Sequence, residues 1–245
     1  MSANARGDLK YSGIVTIPGG SYDHVSLDGV VTIDGDMDST DIKMNGVFKG
    51  IGKLKSNTVS LNGTATFEGI VEAVDISLNG DFNIRDSLKV DDIYAEGRLS
   101  VKGNIVSKKL NMHGIMKVSG SCEADNFDLR GTFTVGEMLN AEDINVDIYG
   151  PCGAKEIGCG KIIVRKGERN LIGILADLFS PLIYGKTHLT AETIEGDDIN
   201  VEHTTAKVIR GNTVAIGNGC VVDLVEYRAD FKKSAGARVM KHVKI

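Results

Sequence analysis

Acidic side chains are the first residues to test for chemistry. Asp34, Asp36, Asp38 and Asp41 crowd one stretch, Asp91 and Asp92 a second, and Glu195, Asp197 and Asp198 a third. Two carboxylates cleave glycosides when one is held protonated and the other stays charged across the scissile bond. Such a site also wants basic residues converging on the acids and exposed aromatic rings on which sugars stack. Aromatic residues make up only 5% of the chain and tryptophan is absent. Most phenylalanines occupy positions that read as inward. The acidic clusters therefore read as solvated surface.

The five histidines are His24, His113, His188, His203 and His242. No two stand at a metal-ligand spacing such as i, i+4. The four cysteines are Cys122, Cys152, Cys159 and Cys220, with no C-x-x-C pair among them. Cys122 falls in an inward slot, where a thiol acts as a small hydrophobe. Cys152 and Cys159 flank "GAKEIG" and would suit a redox pair or half a metal site, but Cys159 also fits an inward slot beside Ile157. Core packing is the expectation for it. Glycine-rich phosphate loops are mimicked rather than present, because the glycines recur with a fixed period. The expectation is no catalytic residue, no cofactor, no metal ligand and no enzyme activity.

That period defines the elements. From Asp28 the chain divides into seven blocks of seventeen residues without a gap, from DGVVTIDGDMDSTDIKM to RGTFTVGEMLNAEDINV. The second residue of every block is glycine: Gly29, Gly46, Gly63, Gly80, Gly97, Gly114 and Gly131. Apolar residues recur at the fourth and sixth positions, the tenth and twelfth, and the fifteenth and seventeenth. One block gives Ala65 and Phe67, Val71 and Ala73, Ile76 and Leu78. A spacing of two puts both side chains on one face of a strand. Three short strands per block, parted by Gly, Asn or Asp corners, make one coil of a parallel β-helix. The glycines mark corners that need positive φ or close backbone approach. No block shows a 3.6-residue period, which excludes an α-solenoid.

The expected organisation is an N-terminal segment (1–11), β-helix coils (12–164), an amphipathic insertion (165–187), further coils (188–230) and a C-terminal segment (231–245). Within the insertion Leu171, Ile174, Leu175, Leu178 and Phe179 recur at helical spacing, and Pro181 would end a helix. These five residues are candidate contacts to a partner or a membrane surface. The stretch is too short and too interrupted to span a bilayer. The net charge of −5 argues against nucleic acid as a partner. The opening residues show no apolar signal region, so a cytoplasmic protein is expected, with membrane association through the insertion as an addition. An ice-binding face is disfavoured, because Lys49 and Lys117 interrupt the outward column containing Thr32, Thr66 and Thr134.

The Gly-rich blocks with paired aliphatic positions resemble the bactofilins, bacterial polymer-forming cytoskeletal proteins. So do the "LNG" corners and the stretches "LKYSG", "DIYGPCGAKEIG", "IEGDDI", "KVIRG" and "DLVEY". The resemblance spans Leu9 to Tyr227 and is greatest to a longer type from spore-forming Gram-positive bacteria. It implies a right-handed parallel β-helix that forms nonpolar filaments without nucleotide, and a scaffold role in cell shape, envelope organisation or flagellar assembly. It also implies a homopolymer, with envelope or flagellar proteins as further partners. By position, the candidate polymer contacts are Val15 and Ile17 early in the chain and Val239, Val243 and Ile245 late in it. Two other readings stand beside this one. One is a carbohydrate-binding or carbohydrate-processing β-helix. The other is a non-polymerising adaptor that docks a partner through residues 165–187.

Overall fold

The computed structural model describes residues 6–167 and 187–245. It is an all-β parallel β-solenoid of about 11 turns of ~17 residues, and no helix occurs among the described residues. The chain divides into two compact units. The first holds β1 (Gly7–Gly50), β2 (Leu54–Phe67), β3 (Val71–Ile84), β4 (Leu88–Val101) and β5 (Ile105–Val106). The second holds β7 (Cys122–Ile148), β8 (Pro151–Lys166), β9 (His188–Val201), β10 (Thr204–Ile216), β11 (Val221–Lys233) and β12 (Arg238–Lys244). Strand β6 (Lys109–Val118) supplies residues to both.

In the first unit the register confirms the seventeen-residue period residue by residue. Leu54 pairs with Val71 and Val71 with Leu88, while Gly46, Gly63, Gly80 and Gly97 align in one row. The ladder differs from the expected three short strands. Strand β1 runs unbroken for 44 residues, and the regular ladder of β2, β3 and β4 runs for 14 residues per coil through two corners. It breaks only at the third, as at residues 68–70. Hydrogen bonding survives the Asn-Gly corner because positive-φ glycine turns the chain without unpairing it.

The interior is built from columns. Ile42, Val59, Ile76 and Ile93 stack through the first unit and are all sealed from solvent. Gly50 occupies an inward position, and the Phe67 ring one coil on fills its space; a Cβ at Gly50 would meet that ring at 2.3 Å. Phe67 then meets Phe82 edge to face, with centroids 6.0 Å apart. Buried hydroxyls also stack. Ser39 donates to Ser56 at 3.0 Å, and Ser56 donates to the Thr58 carbonyl at 2.9 Å. No buried hydroxyl in that pair is left unpaired, which keeps its burial inexpensive.

In the second unit the coil length varies. β7 pairs with β8 at an offset of eighteen, as in Ile144 with Ile162, with a bulge between Val135 and Met138. β9 and β10 pair at an offset of fifteen, as in Ile194 with Ile209. β9 lies directly on β8, with Ile162 opposite Ile199, so the residues after Leu189 continue that ladder.

Three expected boundaries shift. Gly7 to Tyr11 belong to β1 rather than to a separate segment, because Leu9 sits one coil from Val25 and Asp8 accepts the His24 backbone N–H at 3.3 Å. Arg165 and Lys166 belong to β8 rather than to an insertion. Arg165 is held there by Asp147 at 3.0 Å and by the Asn145 side-chain oxygen at 2.7 Å. Most of residues 231–245 form ladder as the end of β11 and as β12.

Candidate functional site

The corner glycines are the most constrained residues of the repeat. Gly29, Gly46, Gly63, Gly80, Gly97, Gly114 and Gly131 have φ between 109° and 148°. L-residues with a side chain rarely enter that region. Gly29, Gly46, Gly63, Gly80, Gly97 and Gly131 also lie against the backbone one coil earlier. A Cβ built at Gly63 would fall 2.1 Å from the Gly46 carbonyl oxygen, and one at Gly80 would fall 2.0 Å from that of Gly63. Conformation and proximity therefore both demand glycine. These residues position the coils and carry no chemistry of their own.

The candidate polymer contacts divide between the units. Ile17 is buried and Val15 is half-buried in the first coil. Around them the apolar stack is open among the described residues. Tyr11 is 42% exposed, whereas Leu27, its counterpart one coil later, is 0% exposed. Leu9 and Val15 are half-buried, whereas Val25 and Val31 are sealed. In the second unit β12 pairs with β11 and with no further strand among the described residues. Val239 and Val243 are half-buried there, and Ile245 is exposed. Val239 stacks on Val222, but His242 stacks on Val225 and is itself exposed. Phe231 lies between Tyr227 and His242, with ring centroids 5.4 Å and 4.9 Å away. This aromatic group covers the inward column of β10 and β11. Leu171, Ile174, Leu175, Leu178 and Phe179 lie outside the described residues.

The acidic stretch from Asp34 to Asp41 ties coils together. Asp38 pairs with Arg6 at 3.1 Å, Asp36 accepts the Lys53 N–H at 2.8 Å, and Asp41 bonds the His24 ring. That carboxylate raises the His24 pKa above its ordinary value. His188 bonds the Thr205 hydroxyl. Among the described residues no group of three or more His, Cys, Asp or Glu is arranged to hold a metal ion.

Burial pushes the Cys122 and Cys152 thiols up to about 12, and Cys220 rises for the same reason. Cys159 differs in its surroundings. It occupies the inward column expected for it, opposite Ala141, yet it is only partly buried. The next residues in that column are Gly196 and Gly211. The Cys159 sulfur takes the space a Gly196 side chain would fill, and a recess of about 200 Å³ opens beside these residues, rimmed by Glu195, Asp197, Arg210 and Arg228. The slot was readable from sequence. The opening was not, although the glycines of "IEGDDI" and "KVIRG" are its signal. Burial, and then the charges of Asp197 and Glu142, push the Cys159 thiol up to about 12. A thiol so protonated is a poor nucleophile and metal ligand at neutral pH. Arg210 spans three coils beside it, bonding Glu195 at 3.1 Å and Glu226 at 2.7 Å.

A second, shallower groove of about 570 Å³ crosses the second unit, where Ala154, Ala191 and Ala206 replace the larger residues of regular coils. Lys207 and Glu192 pair across its margin at 3.0 Å.

The chain is 36% identical over 114 residues to YhbE, an uncharacterized protein of Bacillus subtilis (strain 168), a match that covers 45% of this chain and 44% of that one. It is 48% identical over 42 residues to YhbF, an uncharacterized protein of the same organism, covering 17% and 18% of the two chains. The match thus spans less than half the length of either relative. No family model and no solved structure matches the chain.

Proposed function

We propose that this protein is a self-assembling scaffold whose copies associate coil on coil without nucleotide or cofactor. The observation that carries the reading is the open apolar stack of the first coil. Leu9, Tyr11 and Val15 occupy inward positions that one further coil would seal, as it seals Val25, Leu27 and Val31. Covering such positions is favourable by roughly 25 cal/mol per Å² of apolar surface removed from water. Unpaired strand edges add directional N–H and C=O groups that template a further strand. The resemblance of the repeat to the bactofilins supports the same reading. Under it the polymer is a cytoskeletal filament that serves cell shape, envelope organisation or flagellar assembly.

Negative-stain electron microscopy with sedimentation velocity, on protein without added nucleotide, tests this. Filaments or a ladder of oligomers are expected. A uniform monomer across a wide concentration range refutes the proposal.

A further inference from the structure

Glycine follows asparagine directly at four places: Asn45–Gly46, Asn62–Gly63, Asn79–Gly80 and Asn218–Gly219. Asparagine is a thermolabile residue, and this pair is where its lability is greatest. The glycine nitrogen attacks the carbon of the asparagine side-chain amide, and glycine has no Cβ to shield that nitrogen. The new N–C bond closes a succinimide ring as the old C–N bond breaks. The proton of the attacking nitrogen passes to solvent base, and the side-chain nitrogen takes up a proton and leaves as ammonia. Water then opens the ring at either carbonyl, giving aspartate or isoaspartate. Water is the only co-reactant, and no electrons are gained or lost.

Three of the pairs are locked. Asn45–Gly46, Asn62–Gly63 and Asn79–Gly80 lie inside β1, β2 and β3 and share one row of the ladder. The Asn45 side-chain nitrogen also donates to Asp28 at 2.9 Å. Turning these peptides far enough to bring amide carbon and nitrogen together would break pairing with the coils on both sides. Asn218–Gly219 lies instead between β10 and β11, and both residues are exposed. Its reacting atoms face the same neighbour. The Gly219 N–H donates to the Gly236 carbonyl at 3.1 Å. A Cβ at Gly236 would meet the Asn218 side-chain oxygen at 2.7 Å and its amide carbon at 3.3 Å. The Ser234 hydroxyl donates to that oxygen at 2.9 Å, which draws electrons from the carbon under attack. We propose that Asn218 is a deamidation site, converted through a succinimide to aspartate or isoaspartate, while the three pairs of the regular ladder persist. The change adds one negative charge. Isoaspartate also routes the main chain through the side-chain carbon, lengthening a corner whose carbonyl accepts the His203 N–H at 2.8 Å.

A time course of peptide mapping tests this. The full chain is held at mildly alkaline pH, folded in one series and unfolded in urea in the other. Mass spectrometry reads conversion of amide to acid at each asparagine, and chromatography separates isoaspartate from aspartate. In urea all four sites should react at similar rates, since each is the same dipeptide. In the folded protein Asn218 should convert at least about tenfold faster than Asn45, Asn62 and Asn79, because a ladder interior opens less often than an exposed corner. Asn218→Gln, whose longer side chain must close a larger ring, should stay unmodified at that position while the other sites behave as in wild type. Similar rates at all four sites of the folded protein would overturn the assignment. So would an Asn218 that stays intact when folded although it reacts in urea.

Discussion

Replacing Gly63 with alanine separates the two demands made on the corner glycines. Gly63 has a φ of 131°. Holding a residue with a side chain in such a region costs about 1–3 kcal/mol. The new Cβ would also stand 2.1 Å from the Gly46 carbonyl oxygen. Ordinary contact needs more than an ångström of further separation, which coils spaced at about 4.8 Å reach only by breaking ladder hydrogen bonds nearby. Two lost bonds at about 1–3 kcal/mol each bring the total to about 3–9 kcal/mol. Gly35 is the control. Its φ is 112°, but the nearest atom to a Cβ there is the Gly19 nitrogen at 3.6 Å. Gly35→Ala should cost only the conformational part, about 1–3 kcal/mol. Urea unfolding followed by circular dichroism gives both numbers. Hydrogen exchange locates the loss, since a solenoid opens coil by coil. Equal losses for the two variants, or a Gly63→Ala protein within about 1 kcal/mol of wild type, would refute the close-approach argument.

The His24–Asp41 bond should be visible as a raised histidine pKa by NMR titration, and Asp41→Asn should return it toward 6.5. Because the folded value is the higher one, the stabilisation is complete below the unfolded pKa and is lost as pH rises through the folded value. An unchanged His24 titration in the Asn variant would count against the contact. The cysteines work in the alkaline range. Their thiols lie well above the ordinary value of 9.0 when folded. Unfolding therefore becomes easier as pH rises above about 9, and native protein should react slowly with a thiol reagent at neutral pH. Cys159, beside its recess, should be the fastest of the four; a burst from Cys122 would contradict its burial.

The regular coils were legible because one rule repeats. Glycine at the second position and aliphatic pairs two residues apart specify a corner and three inward faces. Seven successive blocks obey it without a gap. What the pattern did not show was strand continuity. Side-chain alternation marks faces, while hydrogen bonding follows the backbone through a corner such as Asn62–Gly63 unbroken. Boundaries were missed where polar residues extend the ladder. Arg165 carries no apolar signal, yet Asp147 and Asn145 hold it in β8.

The surface features of the second unit follow from the same columnar logic. In a solenoid a residue's neighbours are the equivalent residues one coil above and below, so one small side chain is covered by larger ones. Gly50 shows this, its space taken by Phe67. A cavity at the surface needs two or more small residues in succession. Cys159, Gly196 and Gly211 make one, and Ala154, Ala191 and Ala206 floor another. Both lie where the offset between coils departs from seventeen, at β7–β8 and β9–β10. Changing coil length moves corners out of line, and an out-of-line corner leaves less room for a large inward residue. In the second unit small residues and irregular offsets therefore occur together.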